Sequence, residues 1–77
     1  MVPRLTPVNC RELVRFFEAH GYTAARQKGS HLSLVKRGAP RPIVIPMHDE
    51  VSVTVVLSCL RTAGLGRDAL LDWLGKQ

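Results

Sequence analysis

The apolar residues of this chain change their spacing once, near residue 22, and that change limits the folds that the chain can adopt. Between Asn9 and Gly21 they recur at helical spacing. After that point the segment YTAARQK, the turn GS and the alternating run HLSLVKR indicate two strands joined by a tight turn. The chain is therefore expected to begin as a helix followed by a β-hairpin.

The first helix has clear start and end signals. Asn9 is a good N-cap, and Glu12 three positions later makes the start resemble a capping box. Gly21 stands where a left-handed backbone usually ends a helix. The stripe expected to face the core is Cys10, Leu13, Val14 and Phe17, with Arg11, Arg15 and Glu18 on the other side.

The return strand of the hairpin has two different faces. Because side chains alternate along a strand, Leu32 and Leu34 share one face, whereas His31, Ser33 and Val35 share the other. The leucines predict the core face. His31 is therefore expected on the opposite face, directly after the turn.

A short third strand is expected after a second turn. The sequence GAPR at 38–41 predicts the turn, and PIVIPM at 42–47 predicts a strand whose prolines limit its pairing. If the two isoleucines point into the core, alternation places Val44 on the opposite face, and His48 as well if the alternation continues past the second proline. That face is the one that carries His31.

The segment after residue 51 is rich in β-branched residues, which favour a strand, but its apolar spacing favours a helix. Ser52 can cap this helix and Gly64 can end it. Val55 and Cys59 fall outside the core stripe, so we expect them to form a partly exposed apolar flank. The expected core stripe is Val53, Val56, Leu57, Leu60 and Ala63.

Together these elements predict an α+β fold of order α-β-β-β-α. A short extra C-terminal helix is expected to pack Leu70, Trp73 and Leu74 onto the body. Three antiparallel strands with helices on one face leave the other face open to solvent. A double-stranded-RNA-binding domain has the same element order, although a fold alone assigns no function. No linker or repeat divides the sequence, so residues 1–77 are expected to form one domain.

The composition favours an anionic partner. Eleven basic and six acidic residues give a net charge of +5, which suits RNA, DNA or an acidic protein, although solubility alone could explain it. Two cysteines and three histidines show no disulfide framework and no recurrent metal-ligand spacing, so neither a metal nor a cofactor is predicted. Neither a signal peptide nor a membrane span is evident, so a cytoplasmic protein is expected.

Four motifs together resemble the HicA family of toxins, the small mRNA interferases of HicA–HicB toxin–antitoxin pairs. They are HGY at the end of the first helix, RQKGSH at 26–31, IPMH at 45–48 and LRTAGL at 60–65. The most specific of them is KGSH after a strand. The resemblance implies an endoribonuclease with a double-stranded-RNA-binding-like fold. It also implies a catalytic histidine at the position of His31 and an antitoxin that covers the site.

One segment departs from the family pattern. The family usually follows its second histidine with a basic, glycine-containing loop and a Lys-Pro-Gly-like helix start. Here the corresponding residues are DEVSVT at 49–54, so Asp49 and Glu50 replace the expected positive charge. This change weakens the RNA contact expected at the loop and leaves the catalytic position unaffected.

His31 is the predicted catalytic residue. RNA supplies its own nucleophile, the 2′-hydroxyl group, so a ribonuclease needs only proton transfer and phosphate stabilisation. Imidazole exchanges protons near neutral pH, and general base catalysis is worth about 10² to 10⁴-fold. Without the spacing of the motifs, an ordinary exposed histidine beside a turn would be the simpler explanation.

The turn before His31 is expected to bind phosphate. Gly29 and Ser30 would let the backbone approach a phosphate group, and Lys28 would offset its charge. The same residues also suit a plain β-turn. Further contacts to RNA phosphates are expected from Arg26 and from Lys36, Arg37 and Arg41 around the second turn, although each could be a solvated surface charge.

Two polar residues are possible auxiliaries. His48 could protonate the leaving 5′-oxygen or contact RNA, and a structural role at the strand end is equally compatible with the sequence. Ser33 could orient the His31 ring or simply be solvated. Contacts with the antitoxin are expected at His31, Val55 and Cys59, because an apolar flank favours burial under a partner.

The leading hypothesis is a metal-independent endoribonuclease toxin that cleaves mRNA and inhibits translation until a HicB-like antitoxin neutralises it. One alternative is a catalytically silent RNA-binding module of the same fold. Another is a protein-interaction domain for an acidic partner. Binding to RNA without cleavage would favour the first alternative, and no RNA binding at all would favour the second.

Overall fold

The computed structural model describes residues 5–76, and within them it contains three helices and three strands. Residues 1–4 and residue 77 lie outside the described residues. The prediction that the start of the chain is not a signal peptide falls partly on residues 1–4 and so stays a prediction. None of the helices between residues 5 and 76 is long and apolar enough to cross a membrane. The elements are α1 (Cys10–Ala19), β1 (Thr23–Lys28), β2 (His31–Val35), β3 (Ile43–Pro46), α2 (Val53–Ala63) and α3 (Arg67–Gly75).

The three strands form one antiparallel sheet in the order β1-β2-β3. This confirms the predicted α+β fold and places β2 in the middle of the sheet. The pair Lys28 and His31 closes the hairpin between β1 and β2. The pair His31 and Pro46 joins the same end of β2 to β3. His31 therefore has a strand neighbour on each side.

The start of α1 confirms one half of the predicted cap. The Asn9 side chain accepts a hydrogen bond of 2.9 Å from the backbone N–H of Arg11. A capping box also requires the Glu12 side chain to accept a hydrogen bond from the backbone N–H of Asn9. This part of the prediction is wrong, because the Glu12 carboxylate bonds within its own helix. One of its carboxylate oxygens accepts from Arg15 at 2.9 Å, and the other is buried without a hydrogen-bond partner among the described residues.

The end of α1 turns the chain sharply into β1. Gly21 has a φ of +94°, as its predicted position after the helix requires. Its N–H donates to the carbonyl of Glu18 at 3.1 Å, and the N–H of Tyr22 donates to the carbonyl of Phe17 at 3.0 Å. These two bonds define a Schellman motif. The rings of Phe17 and Tyr22 pack edge to face, 5.7 Å apart, which fixes the exit angle.

The buried stripe of α1 is wider than predicted. Three of its four predicted residues are buried, and the fourth, Val14, is half-buried. Phe16 is also fully buried, although it lies outside the predicted stripe. Its ring contacts those of Phe17 and Trp73 at centroid distances of 5.1 and 6.1 Å. The packing of α3 against α1 therefore buries a second line of residues.

The helix predicted over residues 53–63 is confirmed, and so are its caps. Ser52 accepts from the N–H of Val55 at 3.4 Å, and Gly64 ends the helix with a φ of +72°. The partly exposed apolar flank is wrong for Cys59, which is only 6% exposed. Its thiol points at β3 and donates to the carbonyl of Val44 at 3.6 Å. Val55 is half-buried.

The connections around β3 differ from the prediction in their boundaries. The second turn is closed by the N–H of Ala39, which donates to the carbonyl of Lys36 at 3.0 Å, so it begins two residues earlier than predicted. The strand ends at Pro46. The N–H of His48 then donates to the Pro46 carbonyl at 2.9 Å in a tight turn. The strand alternation expected to place His48 therefore stops before it.

The helices cover one face of the sheet, and the core lies between them. Val35 and Val44, on the other face, are 43% and 44% exposed. Segments before α1 and α2 are joined by a β-bridge, in which Val51 donates to the carbonyl of Val8 at 2.7 Å. The buried residues are Val8, Cys10, Leu13, Phe16, Phe17, Tyr22, Leu34, Ile43, Ile45, Val51, Val56, Cys59, Leu60 and Leu70.

Candidate active site

The turn between β1 and β2 consists of Gly29 and Ser30. Gly29 has a φ of +60°, whereas Ser30 has a negative φ, because no described residue other than glycine has a positive one. A positive φ at the first turn residue and a negative φ at the second is the pattern of a type II′ turn. A Cβ atom at Gly29 would meet no atom within 4 Å, so conformation rather than space requires glycine here. The carbonyl of Ser30 accepts from the N–H of Met47 at 2.6 Å, which ties the turn to the end of β3.

His31 lies at the centre of a short row across the sheet. Lys28 is its partner on β1, and Pro46 is its partner on β3. Paired residues in an antiparallel sheet project from the same face, with Cβ atoms about 5 Å apart. The side chain of His31 is exposed. The sheet therefore presents an accessible imidazole beside a lysine on its open face.

A β-bulge in β1 determines which basic residues share that face. Ala24 pairs with Leu34 of the core face, whereas Arg26 pairs with Ser33 of the open face. In a regular strand, residues two positions apart point to the same side, so Ala24 and Arg26 would share a face. The irregularity between them puts Arg26 on the face of the candidate site, although Ala24 is paired with Leu34 of the core face.

These side chains line an open depression of about 530 Å³ on the sheet. Its lining residues are Arg26, Lys28, Gly29, His31 and Ser33. Two of them are cations and none is a carboxylate. A phosphate group in this depression would meet positive charge on the β1 side and the imidazole on the β2 side. The structure thus brings together these five of the predicted site residues.

The imidazole of His31 has no internal partner among residues 5–76. No described side chain or carbonyl hydrogen-bonds to it, and Ser33, which was expected to orient the ring, makes no hydrogen bond to it. Both ring nitrogens can therefore approach a bound substrate. The role of Ser33 stays a prediction, and the structure supports it only by placing that residue in the same depression.

The other two histidines lie elsewhere. His48 is exposed, follows the end of β3, and does not line the depression. His20 lies at the end of α1, where its Nδ1–H donates to the Phe16 carbonyl at 2.9 Å and its ring packs on that phenyl ring at 4.4 Å. Within residues 5–76, no group of three or more His, Cys, Asp or Glu side chains could hold a metal ion.

The basic residues of the second turn do not join the depression at His31. They lie away from Arg26 and Lys28, because the length of β2 separates the first turn from the second. Lys36 follows the far end of β2, roughly 17 Å from His31 at the usual rise of a strand. Its ammonium group lies 5.7 Å from the centroid of the Tyr22 ring, on the side of the helices.

A second group of cations surrounds the turn between β2 and β3. Two neighbouring depressions of about 450 and 390 Å³ lie between this turn and the end of α2. Lys36 and Arg37 line the first, Arg41 lines the second, and Arg61 of α2 lines both. We call these four residues the second-turn basic cluster. Sequence reasoning missed Arg61, because only the packing of α2 shows which loop its last turn meets.

An apolar groove of about 370 Å³ runs between β3 and α2, and Val44, Val55 and Cys59 are among its lining residues. Burial raises the pKa of the Cys59 thiol from 9.0 to about 11. The thiol therefore keeps its proton at neutral pH, in agreement with its role as donor to the Val44 carbonyl. Cys59 serves chiefly in packing, and a partner contact at Val55 stays a prediction.

Comparison with known proteins gives two matches. The family described as "HicA toxin of bacterial toxin-antitoxin" matches residues 10–65, a span that contains the hairpin, His31 and α2. A chain from a solved "Toxin-Antitoxin complex from Streptococcus pneumoniae" is 37% identical, with a TM-score of 0.68. The alignment covers 77% of this chain and 100% of that chain. Among curated protein sequences, none gives a significant match.

Proposed function

Because the chain belongs to the HicA toxin family, we propose that it is an endoribonuclease that cleaves mRNA and so inhibits translation. One observation carries the proposal, namely the exposed His31 in a depression whose lining has two cations and no carboxylate. Residues 1–77 would form one toxin domain, and it would act in the cytoplasm, where mRNA is translated.

The proposed reaction uses the nucleophile that RNA itself provides. His31 accepts the proton of a 2′-hydroxyl group, and the 2′-oxygen attacks the adjacent phosphorus. The bond between phosphorus and the 5′-oxygen breaks, which leaves a 2′,3′-cyclic phosphate and a 5′-hydroxyl group once that oxygen gains a proton. General base catalysis of this kind contributes about 10² to 10⁴-fold. The reaction requires neither a metal ion nor a cofactor.

Charge develops on the phosphate oxygens during this reaction, and the basic residues of the depression would stabilise it. Lys28 stands directly across from His31, and Arg26 lies in the next row of the same face. Gly29 has no side chain, so the backbone of the turn is open to a phosphate, and the Ser30 N–H is adjacent. Such groups act most strongly on charge that appears only in the transition state.

The proton for the leaving 5′-oxygen needs a donor, and we assign His48 as the candidate. Pro46 is the strand partner of His31, and His48 follows it by two residues in an exposed tight turn. His48 thus lies at the end of the sheet where cleavage would occur. A role in catalysis would lower the rate of cleavage by the His48→Ala variant without a change in the free energy of unfolding.

We further propose that a HicB-like antitoxin neutralises the toxin by covering the open face of the sheet. The similar solved chain comes from a toxin–antitoxin complex. The open face displays Val35 and Val44, both more than 40% exposed, near the basic depression. An antitoxin segment with apolar and acidic residues would complement this surface, contact His31 and exclude RNA. The half-buried Val55 would contact it at the rim.

A cleavage assay tests this function. Purified wild-type protein, His31→Ala and His48→Ala would each be incubated with a long, weakly structured RNA in EDTA. We expect the His31→Ala variant to cleave at least about 100-fold more slowly than the wild type, because it lacks the general base. Circular dichroism would check that both substitutions, which are at exposed positions, leave the fold unchanged.

Each of the other outcomes has a clear meaning. Equal cleavage by the wild type and His31→Ala would contradict the role of His31. Cleavage that stops in EDTA would contradict a metal-independent reaction. If the wild type binds RNA at low salt without cutting it, the protein is an RNA-binding module. If it does not bind RNA at all, a protein-interaction domain becomes the better explanation.

A further inference from the structure

The positive charge of this protein is unevenly distributed. Helices α1 and α3, together with Lys76, contain four basic and four acidic residues, so this side of the molecule is neutral overall. The remaining basic residues of the described chain fall into two places. Arg26 and Lys28 lie at the His31 depression, and the other four form the second-turn basic cluster.

The second-turn basic cluster has no internal charge partner. No acidic residue lines either of its two depressions, and no ion pair among residues 5–76 involves any of its members. Lys36 also packs over the ring of Tyr22. Arg37, Arg41 and Arg61 are all exposed. Four neighbouring cations repel one another, so the fold itself gains nothing from their proximity, and an anion would relieve the repulsion.

Two acidic residues between β3 and α2 make the surface charge differ between the two ends of β2. Asp49 and Glu50 follow β3 at the end where the Met47 N–H donates to the Ser30 carbonyl beside His31. They disfavour phosphate groups that extend past His31 beyond that end of the sheet. The second-turn basic cluster lies at the opposite end of β2, roughly 17 Å from His31. A nucleic-acid strand bound at His31 is thus repelled at one end and attracted toward the other.

We infer that the second-turn basic cluster is a second phosphate-binding site for the RNA strand that His31 cleaves. The preferred substrate is then a single strand long enough to reach both sites. This inference rests on the proposed ribonuclease function. Arginine suits such a site because its guanidinium group binds two phosphate oxygens at once. From His31 the RNA strand would pass Val35 and Val44, which are exposed on the open face and offer apolar contact to bases, and would then turn over the end of the sheet toward α2.

RNA is favoured over an acidic protein as the occupant. A strand held at His31 already carries regularly spaced phosphates along the sheet, so it reaches the cluster without a separate binding event. The turn at the cluster also has no bulky side chain at Gly38, where a Cβ atom would meet nothing within 4 Å. Binding of an acidic protein in place of RNA is the alternative that the following test distinguishes.

The test compares two double variants with the same change in charge. Arg37→Gln with Arg61→Gln removes half of the cluster and spares Lys36, which packs on Tyr22. Arg11→Gln with Arg67→Gln is the control on α1 and α3, where both residues are exposed. The probes are 2′-O-methyl oligouridylates of roughly 2 and roughly 16 nucleotides, of which only the longer can span the distance between the two sites. They lack the free 2′-hydroxyl group, so affinity is measured without cleavage.

We expect the Arg37/Arg61 variant to bind the long probe about tenfold more weakly than the wild type and the short probe equally well. For two lost phosphate contacts, the slope of log Kd against log salt concentration should fall by roughly 1.4. The control variant should weaken both probes slightly and by the same factor. Circular dichroism of both variants confirms that the fold is retained.

Loss of the same size in the two double variants, or loss on both probe lengths alike, overturns the inference. The cluster would then be assigned to an acidic protein partner. Cleavage of an unmodified short RNA by the wild type separates the two proposals. If the short RNA is cut while the Arg37/Arg61 variant binds the long probe like the control, His31 functions as proposed and the second site is wrong. If no RNA is cut, the proposed function fails, and the probe comparison still decides whether the cluster binds RNA.

Discussion

The core face and the open face of β2 belong to one five-residue strand, yet they have different roles. Leu34 is fully buried and packs with the helices. His31 and Ser33, on the other face, line the basic depression and make no contribution to the buried core. A substitution on one face should therefore change stability, and a substitution on the other should change chemistry. The fold leaves one face of its sheet free, and the site is built there.

The small size of the chain sharpens this contrast. A domain of this length buries only about 60% of the surface that its unfolded chain exposes. Each core residue therefore carries a large share of the free energy of unfolding, which is typically about 5 to 15 kcal/mol for a native protein. Residues on the open face carry little of it.

The largest effect on stability is expected from Leu34→Ala. Truncation of a fully buried leucine removes apolar contacts and leaves a cavity, so the free energy of unfolding should fall by about 2 to 5 kcal/mol. Ser33→Ala, one position away on the open face, should change it by less than about 0.5 kcal/mol. Urea denaturation measures both. A loss of similar size at Ser33 would break the comparison between the faces.

The next effect concerns the thiol that connects α2 to β3. Burial raises the pKa of Cys59 from 9.0 to about 11, so the folded state holds this proton more tightly than the unfolded state. The resulting stability is fully present below about pH 9 and is lost as the pH rises through about 11. The total is on the order of 2 kcal/mol.

The Cys59→Ala variant isolates this contribution, since the other groups that titrate at alkaline pH are present in both proteins. Urea denaturation of the two proteins between about pH 8 and about pH 11 should show the stability advantage of the wild type shrinking as the pH rises. A difference that stays constant over this range would mean that the thiol is not held in its protonated form by burial.

A smaller effect, and one on chemistry alone, is expected from Lys28→Gln. The cation opposite His31 would stabilise charge on the phosphate, but its exposure to solvent weakens this interaction. We expect RNA cleavage to slow by about tenfold, with no change in the urea midpoint. Lys76→Gln is the matched control, because that lysine forms an exposed ion pair with Asp72 at 3.1 Å on the neutral side. Equal slowing in both variants would assign the effect to net charge.

The smallest effect is expected from Val44→Thr on the open face. Val44 is 44% exposed, so the hydroxyl group of the new threonine stays hydrated. The free energy of unfolding should therefore change by less than about 0.5 kcal/mol. The same replacement at the fully buried Val56 is the control, and it should cost about 1 to 3 kcal/mol because the hydroxyl is desolvated. Thermal melting compares the two variants, and equal melting temperatures would show that Val44 belongs to the core.

The sequence by itself determined the helices and strands, their order and the faces of β2. These depend on local signals that need no distant contact, such as the cap at Asn9, the cap at Ser52 and the left-handed glycine at Gly64. The alternation of Leu32 and Leu34 with the residues between them placed His31 on the open face for the same reason. The turn GS, next to a lysine and a histidine, likewise located the candidate site.

Only the tertiary structure decided which distant residues meet. The bulge that aims Arg26 at the depression shifts the register of β1 by one residue, so that Arg26 pairs with Ser33 although Ala24 pairs with Leu34. Phe16 is buried because α3 closes over α1, and Cys59 is buried because α2 presses on β3. Arg61 joins the second turn for the same reason. Such contacts depend on the packing of segments far apart in the chain, and no local period or cap encodes that packing.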